Sequence, residues 1–222
     1  MDRRQFISVA ALGFGAGLAG PGLADTPQFA VEAGDMVMGS PKAKVTVIEY
    51  ASASCPHCAK FNNEEFPAFK AKYIDTGRVF YVFREFLTPP VSFAAASFLI
   101  ARCAGKDKYF GVVDSIFHAQ AEIYESHDLR GPLLKIAVAA GMDEKAVDAC
   151  LDDKKTLAAL NGRVSRYMSR DQVQSTPTFL IGGQRLSGEQ TLAALDVAIV
   201  AAEAKADPSA SSGPRRHRKP HS

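Results

Sequence analysis

Hydrophobic and polar positions change period repeatedly along this chain, and each change predicts a change of element. Residues 45–50 (VTVIEY) are β-branched and almost continuously apolar, the pattern of a central strand covered on both faces. Only Glu49 and the Thr46 hydroxyl interrupt it. Small residues at 51–54 let the chain turn, and a helix begins near Cys55, where Pro56 suits a first turn. Cys58, Phe61, Phe66, Phe69 and Tyr73 roughly follow one helical stripe. Pro67 falls within that stripe, lacks an N–H and predicts a kink. Strand character returns at 78–86, which completes a βαβ unit. Upstream, 28–32 predicts a short edge strand and Gly39-Ser40-Pro41 a turn.

Strand signals then stop. Helices are predicted at 91–105, 109–124, 132–140, 144–151 and 154–170, with breaks at Gly105, Gly131-Pro132, Gly141 and Asp152-Asp153. A stretch of roughly eighty residues is far too long for a βα loop, so it reads as an inserted helical subdomain over 89–170. A strand returns at 175–181, Gly182-Gly183 makes a two-residue hairpin turn, and 184–186 runs back. A last helix covers 189–204, with Leu192, Leu195, Ile199 and Val200 on one face. The order strand, helix, strand, helical insertion, hairpin, helix is an α/β arrangement: the thioredoxin fold with an insertion. The fold is split between 25–88 and 171–206.

Composition adds little to this picture; charge and cysteines add more. At 222 residues, 47% hydrophobic and 23% charged, the chain can bury a sizeable core. Its net charge of +2 is unevenly placed: 1–24 carry +1, 207–222 carry +3, and the body between is near −2. Such a body has no electrostatic footprint for nucleic acid. The tail 207–222, rich in Pro, Ser, Gly and basic residues, is expected to be disordered, and no function is assigned to it. Residues 1–24 read as a signal peptide, with Arg3-Arg4, a glycine-diluted apolar stretch, small residues Gly22 and Ala24, and Asp25 as the mature start. A twin-arginine signal and a general secretory signal both fit; the apolar run is too short to span a bilayer. The expected location is the periplasm, where disulfides persist.

The candidate chemistry is Cys55-Pro56-His57-Cys58. Two thiols three apart at a helix start share a face and can close as a disulfide. A cysteine reacts as its thiolate. At a helix start, Cys55 would meet unpaired N–H groups and the positive end of the dipole, and His57 can add charge or a hydrogen bond beside the sulfur. Both stabilise the reduced form and so make the disulfide a stronger oxidant. Three rival readings carry less weight. Zinc usually needs a second paired motif, and Cys103, Cys150, His118 and His127 lack the spacing. A c-type haem needs His directly after the second cysteine, where Ala59 stands. A purely structural disulfide does not account for the export signal and the element order together.

With the Gly39-Ser40-Pro41 lead-in, the insertion and Thr176-Pro177, the chain resembles the DsbA family of bacterial periplasmic thiol oxidases over about 36–204. The stretch Phe83-Arg84-Glu85-Phe86 and the helix ending Ala101-Arg102-Cys103 are similar to its alphaproteobacterial branch. The resemblance implies that Cys55 exchanges with substrate thiols and that Pro56-His57 is an oxidising dipeptide. Pro177 would be a cis-proline facing the pair, and Thr176 would touch substrate and tune the potential. By residue pattern alone, Pro177 merely marks an edge strand. The family also places an acid beneath the disulfide as proton acceptor, which here is Glu49. In a central strand Glu49 is buried with a raised pKa; at a sheet margin it would pair with Arg84 or a lysine. The implied partners are reduced exported proteins as substrates and a DsbB-like, quinone-linked membrane protein as reoxidant. The redox pair needs no metal and no other cofactor, and a monomer is expected.

Cys103 and Cys150 are expected to pair, because an exported chain rarely keeps two idle thiols beside a strong oxidant. The alternative is two buried inert thiols. Other functions on the same fold remain: a reductase or isomerase, or a peptide-binding module that does no chemistry.

Overall fold

The computed structural model describes residues 30–206. Residues 1–29 and 207–222 lie outside them, and with them the expected 1–24 leader and basic tail. A five-stranded sheet is ordered β1-β3-β2-β4-β5, formed by β1 (Met36–Met38), β2 (Val45–Ala51), β3 (Val79–Glu85), β4 (Thr178–Ile181) and β5 (Gln184–Ser187). Only the β2–β3 pair is parallel. β2 is central, flanked by β3 and β4, which explains its unbroken apolar run.

The edge strand is Met36–Met38, not 28–32. Residues 30–32 form no strand, and 28–29 lie outside the description. Their polar groups serve charge pairing instead: Arg84 Nη2 donates to the Ala30 carbonyl at 2.7 Å, and Glu32 meets Arg166 and Arg170. Three residues of alternating exposure give too little pattern to read from sequence.

α1 (Pro56–Lys60) runs into a π-helical turn, Phe61–Glu65, then α2 (Phe66–Phe69), then a second π turn, Lys70–Ile74. The expected Pro67 kink is taken up this way: the Phe66 N–H reaches back five residues to the Phe61 carbonyl just before the proline. Phe61, Phe69 and Tyr73 stay buried along the run.

Between β3 and β4 lie α3 (Val91–Cys103), α4 (Lys106–Ser126), α5 (Arg130–Ala139), α6 (Glu144–Leu151) and α7 (Lys154–Ser169). α3 packs on α4 and α6, and α4 also packs on α1, so the insertion abuts the helix that begins at Pro56. Cys103 and Cys150 are disulfide-bonded and tie α3 to α6, with Cα atoms 6.3 Å apart. Gly182 and Gly183 take φ of +54° and +88° in the β4–β5 turn; a Cβ on Gly182 would come within 2.4 Å of the Ala202 side chain. α8 (Leu192–Ala206) starts three residues later than expected, because Thr191 Oγ1 accepts from Ala194 N and Glu65 accepts from Leu192 N. Among the described residues no helix is long and apolar enough to cross a membrane.

Candidate active site

Cys55 ends the loop leaving β2 and stands as N-cap of α1, with Pro56 in the first turn. Hydroxyls fix the loop: Ser54 Oγ donates to the Thr88 carbonyl at 2.6 Å, and Thr88 N donates to Ser52 Oγ at 3.1 Å. Ser52 O accepts from Cys55 N at 3.0 Å. Cys55 and Cys58 are free thiols here. The two differ little in exposure: Cys55 keeps 8% of its surface and Cys58 none. Part of the cover is the Thr176 carbonyl, 3.3 Å from Cys55 Sγ.

The contrast in acidity is large. Cys55 is lowered to about 5, first by the hydrogen bond from the Cys58 thiol, then, against the cost of burial, by contact with Thr176 and the N–H groups of Cys58 and His57. Cys58 is pushed well above the ordinary thiol range by burial, by its bond to Cys55 and by the charges of Cys55 and Glu49.

Glu49 lies in mid-sheet, opposite Phe83 on β3 and Phe179 on β4, and is 3% exposed. Burial raises it to about 8 although the Tyr81 hydroxyl donates to it at 2.5 Å. The alternative partner, Arg84, is engaged elsewhere: it meets Asp35 at 3.1 Å and Asp171 at 3.3 Å, and donates to Tyr50 Oη at 2.7 Å. Glu49 also lines a cavity of about 340 Å³ with Phe66, Tyr81, Phe110 and Asp114.

His57 departs from expectation. Its Nδ1 lies 3.1 Å from Glu189 Oε2, and the ring is 66% exposed. Glu189 also takes Lys60. What His57 gives the sulfur is its backbone N–H, while its ring faces the β5–α8 connection. Thr176 is buried with its Oγ1 unpartnered, and the Thr176–Pro177 bond is cis. Cys55, Cys58, Glu49, His57 and Thr176 therefore share one site; Cys103 and Cys150 lie in the helical insertion. Among the described residues, no three His, Cys, Asp or Glu side chains are grouped as metal ligands.

Tyr81 and Glu189 were not singled out by the sequence. Tyr81 is two positions from Phe83, which is paired with Glu49, so period two puts both on one face once the register is known. Nothing in the sequence links Glu189 to His57 across 132 residues.

A family model described as thioredoxin matches residues 32–201. A Rickettsia conorii protein, named provisionally a protein-disulfide oxidoreductase, is 35% identical over 156 residues, 70% of this chain and 56% of that one. A similarly named Rickettsia bellii protein is 32% identical over 183 residues, 81% of this chain and 70% of that one. This chain thus spans little more than half the length of the first. The solved structure of Wolbachia pipientis alpha-DsbA1 superposes with a TM-score of 0.72 at 26% identity, over 79% of this chain and 94% of that one.

Proposed function

We infer the function from the premise that this chain belongs to the thioredoxin family, in its DsbA branch: it is a thiol:disulfide oxidoreductase that gives the Cys55–Cys58 disulfide to reduced exported proteins. The carrying observation is the opposed acidity of the two thiols, Cys55 lowered to about 5 and Cys58 raised by burial.

The cycle starts from the disulfide. A substrate thiolate attacks Cys55 Sγ; the Cys55–Cys58 bond breaks and Cys58 leaves with the electron pair. A buried Cys58 thiolate is costly and takes a proton. Glu49, raised to about 8, is protonated at neutral pH and is the acid placed to supply it. A second substrate thiolate then attacks the substrate sulfur of the mixed disulfide. Cys55 leaves as the stabilised thiolate and the substrate departs oxidised by two electrons. Reoxidation runs the proton the other way, with Glu49 accepting from Cys58. A DsbB-like, quinone-linked membrane protein is the proposed oxidant. Thr176 and Pro177, beside Cys55, are the proposed substrate contacts.

The setting is the periplasm, reached through the 1–24 leader. The deciding measurement is the Cys55–Cys58 equilibrium against glutathione. A potential nearer about −120 mV is expected; one near about −270 mV would instead make the protein a reductase. Full activity of Cys55→Ser on a reduced substrate protein would leave only a peptide-binding module.

A further inference from the structure

Two donors from the helical insertion close on the redox loop, and the exchange steps above do not use them. Gln120 and Tyr124 stand four residues apart on one face of α4. The buried Gln120 Nε2 donates to the Ala53 carbonyl at 2.7 Å and to the Cys55 carbonyl at 3.3 Å. Tyr124 Oη donates to the Ser54 carbonyl at 2.7 Å. One helix of the insertion thus holds the two carbonyls that lead into the nucleophile residue, and adds a longer contact to the Cys55 carbonyl, which α1 also holds. The Tyr124 ring is in turn met edge-on by Phe93 of α3, with centroids 5.7 Å apart.

Where those carbonyls point matters to the sulfur. Backbone N–H groups of His57 and Cys58 support the Cys55 thiolate. Cys55 stands as N-cap in an extended conformation, φ −86° and ψ 120°. The same ψ directs the Cys55 carbonyl into α1, where it accepts the Cys58 and Ala59 N–H groups at 3.1 Å each. What α4 supplies is the hold on the Ala53 and Ser54 carbonyls. A buried carbonyl stripped of its donor favours rearrangement, and a shift at 53–54 moves Cys55 relative to the N–H groups that support its thiolate. Tyr124 is close enough to feel that sulfur: burial, and then the Cys55 charge, push its phenol up.

We infer that Gln120 and Tyr124 are positioning residues of the redox pair: by holding the carbonyls of Ala53 and Ser54 they fix the loop that sets Cys55 against the His57 and Cys58 N–H groups, so that the helical insertion sets the oxidising strength of the disulfide. This rests on the reading of Cys55–Cys58 as the exchanging pair.

The test is the glutathione equilibrium of wild type, Gln120→Met and Tyr124→Phe, with the ultraviolet titration of the Cys55 thiolate. Gln120→Met keeps the chain length and removes both donated bonds. Tyr124→Phe removes one hydroxyl from a half-buried ring. Gln120→Met is expected to make the disulfide about tenfold less oxidising, about 30 mV for a two-electron couple. Tyr124→Phe moves the same way by a smaller factor, and in both the thiolate titrates at higher pH. A merely structural brace would lower the unfolding midpoints of the oxidised and reduced forms alike and leave the equilibrium constant at its wild-type value, which would overturn the inference. Tyr124→Phe decides alone where Gln120→Met does not fold. Wild-type protein that fails to exchange with glutathione overturns the exchange reading itself; wild-type exchange with unchanged variants overturns only the positioning role.

Discussion

Glu49 shows what one acidic residue costs in a central strand. Burial lifts its carboxyl to about 8, from about 4.5 in the unfolded chain. Between those values the folded protein holds a proton that the unfolded chain has released. The stabilising contribution is therefore complete below about 4.5 and is lost as pH rises through about 8. Glu49→Gln keeps the shape and removes the titration. Denaturant unfolding of the reduced proteins should show the variant gaining on wild type as pH rises from 5 to 8, by up to a few kcal/mol; parallel pH profiles would contradict the burial of a titrating carboxyl. His57 teaches the opposite lesson. Its position between the cysteines is plain in the sequence, yet its imidazole turns to Glu189 and only its backbone reaches the sulfur.

At the level of elements, the redox helix reconciles two demands. It must carry Pro67 and still bury Phe61, Phe69 and Tyr73 along one side. Two π turns absorb the missing N–H without a break, a solution that a 3.6-residue period does not express. In the insertion, Cys103 and Cys150 join α3 to α6 across 47 residues. Closing a loop of that size contributes up to about 4 kcal/mol in the chain-entropy model. Replacing both cysteines by serine should lower unfolding stability by at most about that amount and leave thiol exchange at Cys55 intact. Loss of exchange in a folded double variant would mean that the bond serves the active site rather than the insertion.

In the whole molecule, buried charge fastens the insertion to the sheet. Glu85, at the end of β3, receives Arg102 from α3 and Arg163 from α7, each at 2.6 Å, and the Tyr109 hydroxyl from α4 at 2.9 Å. Its side chain is 1% exposed. Removing one member of such a group costs about 3–5 kcal/mol because its partners keep uncompensated charge. Glu85→Gln should cost about 3 kcal/mol, the low end, since the Arg102 side chain stays 19% exposed. Urea unfolding checks this, and a loss below about 1 kcal/mol would show that the arginines relax to water. Arg84 plays a similar part on the other side, joining β3 to Asp35 and Asp171 while fully buried. In sequence Arg84, Glu85 and Arg102 stand out only as part of a family resemblance; their partners are not legible, because Arg84 pairs across 49 and 87 residues and Glu85 reaches Arg163 across 78.

The sequence by itself determined the order of elements, the central strand at 45–50, the inserted helices and the redox motif. Those features are local: a period of two or 3.6, a proline, a glycine pair and two thiols three apart all act within a few residues. Tertiary structure alone decided which groups reach Cys55 and Cys58. It set the Thr176 carbonyl against one sulfur, placed Tyr81 on Glu49, drew His57 toward Glu189 and brought Gln120 and Tyr124 onto the redox loop. The physical reason is that the reactivity of a thiol depends on burial and on donors a few ångströms away, and those neighbours come from every part of the chain.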